Sequence, residues 1–297
     1  MAWSGWTTSW IGESMTLVPT SALGRGHDGQ RISVESSGTE PCALFVHANG
    51  FCKELWRPVT SRSTLVSRGG WVSMDQRGHG DSARGSMPYV WDTVARDVVS
   101  VAGAFEDVTV GIGHSSGGSA VARAEALSPG LFSRLVLIEP IVFPPPYERK
   151  EIPLASIAER RRRSFPTKDG ALQRFANGPF ATWEPETLNL YVDHGFRDGP
   201  DGWTLKCDPD VEADYYREGT NVDTWDLLPG IECPVALVVG AKSDTHRGLA
   251  LELLASQFRD VEVFTVPDAT HFVPMEYPGE VARLVDVAGT GSPDLKG

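Results

Sequence analysis

Apolar residues gather along this chain in short, nearly continuous runs, separated by longer stretches of helix-forming residues. The runs are "SMTLVPT" and "RISVESS" near the front, then "CALFVHANG", "GWVSMDQRG" and "VTVGIG", and later "RLVLIEP", "CPVALVVGA" and "DVEVFTVPD". Runs this short, rich in β-branched residues and bounded by turn formers, predict buried strands. Stretches such as "WDTVARDVVSVAGAF", "SAVARAEALS" and "RGLALELLASQF" predict helices between several of them. The alternation predicts an α/β fold: a mainly parallel sheet of about eight strands with helices on both faces. Open sheets of this kind carry their sites at the carboxyl ends of the strands.

Residues 143–225 break the rhythm. They open with "FPPPYERKEIP", contain helical runs, aromatics and the glycine-rich turn "GFRDGPDG", and offer no convincing core strand. They predict a mostly helical cap inserted into a core made of residues 1–142 and 226–297. The aromatics of this segment, among them Phe175, Phe180, Trp183, Tyr191 and Phe196, are expected chiefly to pack the cap, with some lining an apolar pocket. Arg160 to Arg163 run consecutively, so on a helix they point all round it and are expected to be solvated.

Composition adds exclusions. The chain is 41% hydrophobic and 22% charged, an ordinary globular balance. A net charge of −12 argues against general nucleic-acid binding and against adhesion to anionic membranes, leaving a small-molecule substrate as the expected partner. Cys42, Cys52, Cys207 and Cys233 form no CxxC pair, so reduced thiols are expected rather than a zinc site or a disulfide framework. The start "MAWSGWTTSWIGES" lacks the basic and apolar regions of a secretory signal, and no run approaches a membrane span, so a cytoplasmic location is expected. Trp3, Trp6 and Trp10 fall at helical spacing and are expected to pack on the body or fray. No phosphate loop, HExxH or metal-ligand cluster is present, and no cofactor is expected.

Candidate chemistry centres on "GIGHSSGGSA". A strand run precedes it and a helix run follows, the setting in which Gly-x-Ser-x-Gly forms a sharp turn that lifts a serine hydroxyl clear of the backbone. Only the frame Gly113-His114-Ser115-Ser116-Gly117 fits, because a frame centred on Ser116 would need glycine where His114 stands. Ser115 is therefore the candidate nucleophile.

With these motifs in place, the chain resembles the α/β-hydrolases of the serine-nucleophile type that carry a helical cap between the sixth and seventh strands. The resemblance implies the chain order serine, acid, histidine. His271, in "DATHFVPMEYP" after the last run, stands where the family places its base. Asp244, in "VVGAKSDTH", is the expected acid, although the commoner spacing falls on Ser243; Glu139, ending "RLVLIEP", is the alternative. The family's oxyanion donors correspond to the backbone N–H of Ser116 and, in "HANGF", of Asn49, with Gly50 one register later. His47 and His79 are expected to brace this loop and the "DQRGHGDS" turn; His114 is the elbow's variable residue, and His27, His194 and His246 match no motif. Relatives that open epoxides or displace halide have aspartate at the elbow, where this chain has Ser115.

The implied activity is cofactor-independent hydrolysis of a small or medium, largely apolar carboxylic ester or lactone through an acyl-enzyme. The alternatives are carbon–carbon bond hydrolysis or perhydrolysis on the same fold, and a ligand receptor that retains the fold with little turnover. Neither the acyl and leaving groups nor the oligomeric state follows from these residues.

Overall fold

The computed structural model describes residues 20–38, 42–105 and 107–290. Trp3, Trp6 and Trp10 lie outside them, as does nearly all of the "SMTLVPT" run. The first described strand is β1 (Thr20–Arg25), which begins at the last residue of that run. The other seven runs hold β2 (Arg31–Ser37), β3 (Ala43–Val46), β4 (Trp71–Met74), β5 (Val110–His114), β6 (Arg134–Ile138), β10 (Val235–Gly240) and β11 (Val261–Val266).

These eight strands form one sheet in the order β1-β2-β4-β3-β5-β6-β10-β11. β1 and β2 are antiparallel, and the six strands from β4 to β11 in that order run parallel. Side chains alternate between the two faces of each strand. Thus Leu44 and Val46 of β3 join the core on one face, while Ala43 and Phe45 join the core on the other. Both faces are covered, so the central strands are buried along their length and largely apolar, and their register is strongly specified. β11 is an edge strand, and Val263 on it is exposed.

Between β6 and β10 lies an insertion with helices at Pro153–Glu159, Lys168–Ala176, Pro185–His194 and Pro209–Glu218. It also holds a small antiparallel sheet of β7 (Ser164–Phe165), β8 (Phe196–Gly199) and β9 (Gly202–Leu205), in the order β7-β9-β8. Its aromatics bury against each other and against Phe51 of the core. Arg161 departs from the expected solvated run. It is 18% exposed, turned inward to the Glu212 carboxylate and the Tyr191 hydroxyl, whereas Arg160, Arg162 and Arg163 are exposed. Among the described residues, no helix is long and apolar enough to cross a membrane.

Candidate active site

Five loops leave the carboxyl ends of neighbouring parallel strands and meet over the middle of the sheet. They carry Asn49 after β3, Ser115 after β5, Glu139 after β6, Ser243 to Thr245 after β10 and His271 after β11.

Ser115 sits at the turn from β5 into the helix Ser116–Leu127 with φ 56° and ψ −117°. A non-glycine residue in this region costs roughly 1–3 kcal/mol, so the surroundings must impose it. They do so by close approach. A Cβ on Gly113 would stand 2.4 Å from the Gly117 carbonyl oxygen, and one on Gly117 would stand 2.2 Å from that of Val46. The Ser115 N–H donates to Ile138 O at 2.8 Å, tying the elbow to β6. Its hydroxyl caps no helix N–H and is left for other partners.

His271 supplies one, with Nε2 lying 3.0 Å from Ser115 Oγ. On the other side of the ring, Nδ1 lies 3.2 Å from Glu139 Oε2 and 2.9 Å from Thr245 Oγ1. The loop before the ring is fastened by Glu276, which accepts from Thr270 N at 2.7 Å and from Thr182 Oγ1 of the insertion.

The carboxylate at His271 is Glu139, and the expectation of Asp244 is corrected here. Glu139 is fully buried. Its Oε1 accepts from Gly240 N at 2.7 Å, and its Oε2 from Ser243 Oγ at 2.7 Å. Burial alone would raise its pKa, but the bonds from His271, Ser243 and Gly240 outweigh that and hold the carboxyl below its ordinary value. Asp244 is exposed and is not among the ring partners of His271. The reason is the turn after β10: Ser243 is 1% exposed and aims its hydroxyl inward at Glu139, so the next side chain faces solvent. Position 243 thus holds a hydroxyl that bonds to the Glu139 carboxylate just after β6.

Ser116 follows the serine directly, and Asn49 lies in the loop after β3. Ser116 opens its helix, so its N–H has no acceptor within that helix. Its hydroxyl accepts from Gln76 Nε2 at 3.1 Å. Asn49 is held by its side chain: Nδ2 donates to Glu212 O at 2.9 Å, and Oδ1 lies 3.0 Å from His79 Nε2. His47 stiffens the same loop, with Nδ1 2.7 Å from Ala48 O and Nε2 accepting from Gln76 N at 3.1 Å. Burial drives the pKa of His47 well down and that of His79 to about 4, so both rings are neutral braces. The Arg161 guanidinium and the Glu212 carboxylate lie against Gly50 in this loop.

Three contributors were not assigned a role from sequence. His114 Nε2 donates to the backbone carbonyl of His271 at 2.8 Å, and burial with the neighbouring His271 ring pushes its pKa down to about 3. His246 Nε2 lies 2.7 Å from Pro140 O, fastening the segment after Glu139. Thr245 faces Nδ1 of His271. No local sequence signal marks any of these contacts, each of which joins residues 26 or more positions apart.

The site is covered. Ser115 is 7% exposed, and the aromatic rings of Phe51, Phe180, Trp183, Tyr191 and Phe272 meet edge-to-face or stacked at centroid distances from 4.1 to 6.1 Å, with the Phe272 ring 5.9 Å from that of His271. Among the described residues, no group of three or more His, Cys, Asp or Glu side chains is placed to hold a metal ion.

A doubly covered parallel sheet with a serine at the strand–helix elbow and a histidine after the last strand defines the α/β-hydrolase class. The family model described as "Alpha/beta hydrolase family" matches residues 43–284, and the chain belongs to that family. An abhydrolase domain-containing protein of Alternaria alternata, ACTT2-1, is 26% identical over 212 residues, 59% of this chain and 80% of that protein. A type I acyl-CoA thioesterase of Penicillium brevicompactum, mpaH, is 30% identical over 198 residues, 61% of this chain and 45% of that protein. Among solved structures, E-2-(acetamidomethylene)succinate hydrolase superposes with a TM-score of 0.78 at 22% identity, covering 91% of this chain and all of that one. The thioesterase domain from a curacin biosynthetic pathway gives 0.76 at 18% identity, covering 90% and 99%.

Proposed function

We propose that this protein is a serine hydrolase acting on a small or medium, largely apolar carboxylic ester or lactone. The observation that carries the reading is the continuous chain Ser115 Oγ–His271 Nε2 at 3.0 Å and His271 Nδ1–Glu139 Oε2 at 3.2 Å. In this reading Ser115 Oγ attacks the carbonyl carbon as its proton passes to His271 Nε2. Glu139 accepts the Nδ1–H and stabilises the imidazolium that forms. The N–H groups of Ser116 and Asn49 receive the oxyanion, each donor being worth about 10²–10³ in rate. Collapse transfers the proton from His271 to the departing alkoxide, and water then attacks the acyl-serine by the reverse proton path. The aromatic cluster around Phe51 and Phe272 supports an apolar acyl or alcohol group.

A thioester is the second reading. It is favoured by the acyl-CoA thioesterase and the thioesterase domain among the similar proteins, since the same five groups serve either leaving atom.

A panel of p-nitrophenyl esters, lactones, thioesters and ring-cleavage diketones, assayed with wild type and Ser115→Ala, tests both. Hydrolysis and fluorophosphonate labelling are expected in wild type and absent in Ser115→Ala, whereas Ser116→Ala keeps substantial activity because only its amide is used. Labelling that survives Ser115→Ala overturns the assignment of the nucleophile.

A further inference from the structure

A cavity of about 420 Å³ lies at the junction of core and insertion, lined by none of the residues around Ser115. The core supplies Arg31 and the loop after β4, from Gly78 to Arg84; the insertion supplies Arg163, Arg197 and the segment from Thr204 to Val211. Its charged lining is Arg31, Arg84, Arg163, Arg197 and Lys206 against only Asp81 and Asp208. That is an excess of three positive charges in a chain whose net charge is −12.

The two carboxylates are already engaged. Asp81 pairs with Lys206 at 2.6 Å. Asp208 pairs with Arg163 at 2.6 Å and with Arg84 at 3.6 Å, and also accepts from Asp210 N at the start of its helix. Among the described residues, Arg31 and Arg197 have no carboxylate partner, although both contribute to the cavity wall. Cations gathered in a concavity reinforce one another's field, because low-dielectric walls focus it, whereas the same charges spread on a convex surface are screened by water. Arginine forks match phosphate oxygens in pairs, and the volume falls in the range of small-ligand sites.

From this we infer that the cavity is a binding site for a polyanion of the phosphoanhydride or organic-phosphate class, seated between Arg31 and Arg197 and joining core to insertion. The site lies one residue behind the loop of Asn49. Gly78 and Gly80 in its wall flank His79, which contacts Asn49 Oδ1, and Val211 precedes Glu212, whose carbonyl accepts from Asn49 Nδ2. The binding inference is independent of the hydrolytic reading; only the final comparison of anion sources rests on that reading.

The test is calorimetric titration of the full chain with sodium pyrophosphate, against sodium chloride at matched ionic strength. Saturable one-site binding is expected in wild type. Arg31→Ala/Arg197→Ala should weaken it at least tenfold while its unliganded Tm stays near wild type. Arg259→Ala, which removes an exposed cation paired with Glu232 elsewhere, should leave it unchanged. No saturable binding up to 10-fold above millimolar concentration at low salt, or equal affinity in the double variant, overturns the site. The source of the anion is then read by comparing an acyl-CoA with the same acyl group on N-acetylcysteamine. A KM rise confined to acyl-CoA in the double variant assigns the phosphates to the substrate, and an unchanged KM assigns them to a free ligand.

Discussion

Glu139→Gln is the substitution that separates the proposed chemistry from a merely structural carboxylate. Glu139 Oε1 accepts from the Gly240 N–H, so in the variant the amide oxygen must occupy that place. The amide NH₂ then faces Ser243 Oγ and His271 Nδ1. Ser243 can turn its hydroxyl and accept. His271 can accept only by giving up the proton on Nδ1, which moves the ring's single proton to Nε2, opposite Ser115. That tautomer donates to the serine and cannot take its proton. The analogous change in other triads lowers kcat about 10⁴-fold, or about 5 kcal/mol of transition-state stabilisation. Asp244→Asn, at an exposed position, should change kcat by roughly twofold, the scale of a screened surface charge. Steady-state hydrolysis of a p-nitrophenyl ester, with Tm measured alongside to confirm folding, checks both. A Glu139→Gln enzyme within tenfold of wild type, or an inactive Asp244→Asn enzyme that folds, refutes the reasoning.

Two further expectations concern stability. Gly117→Ala places a Cβ 2.2 Å from Val46 O and 2.5 Å from His47 O, backbone atoms that cannot yield, and should cost about 3 kcal/mol in urea unfolding. Gly230→Ala, with nothing within 4 Å of its Cβ, should stay within about 0.5 kcal/mol; equal effects would show that the elbow is not sterically fixed. His114 has a folded pKa of about 3 against an unfolded value of about 6.5. Between those values the unfolded chain binds a proton that the folded one refuses, so stability falls with pH below about 6.5, by up to about 1.4 kcal/mol per pH unit from this ring. His114→Gln keeps a donor for His271 O and should show a shallower fall between pH 6 and 5; parallel curves would rule His114 out as a source.

The strands were legible in the sequence wherever a strand is buried on both faces, because burial makes the run continuous. β7 to β9 were not legible: they are two to four residues long, and β8 reads "FRDG", a segment with no periodicity to detect. The position of Ser115 could be read because the glycine frame follows from local backbone contacts. The choice between Asp244 and Glu139 could not. Strand alternation ends at Gly240, and which way Ser243 and Asp244 then point depends on a hydrogen bond to a residue about a hundred positions earlier. Arg161 was misread for a similar reason, since its partner Glu212 is 51 positions away. Sequence distance hides such pairs; local geometry does not.

Asn49 is gripped from two directions, by His79 of the core and by the Glu212 carbonyl of the insertion. The insertion is consequently no interchangeable accessory. On the proposed mechanism, a chimera whose foreign insertion lacks a carbonyl at that place would seat Asn49 less firmly, and its turnover would decline for every substrate, favoured or not. Descendants of this protein could drift to new substrates by repainting the aromatic lining, but wholesale exchange of the insertion would first have to rebuild that one anchor. On that mechanism the insertion holds two separable settings: its aromatic lining governs which substrate is taken, and the carbonyl of Glu212 governs how fast it is turned over.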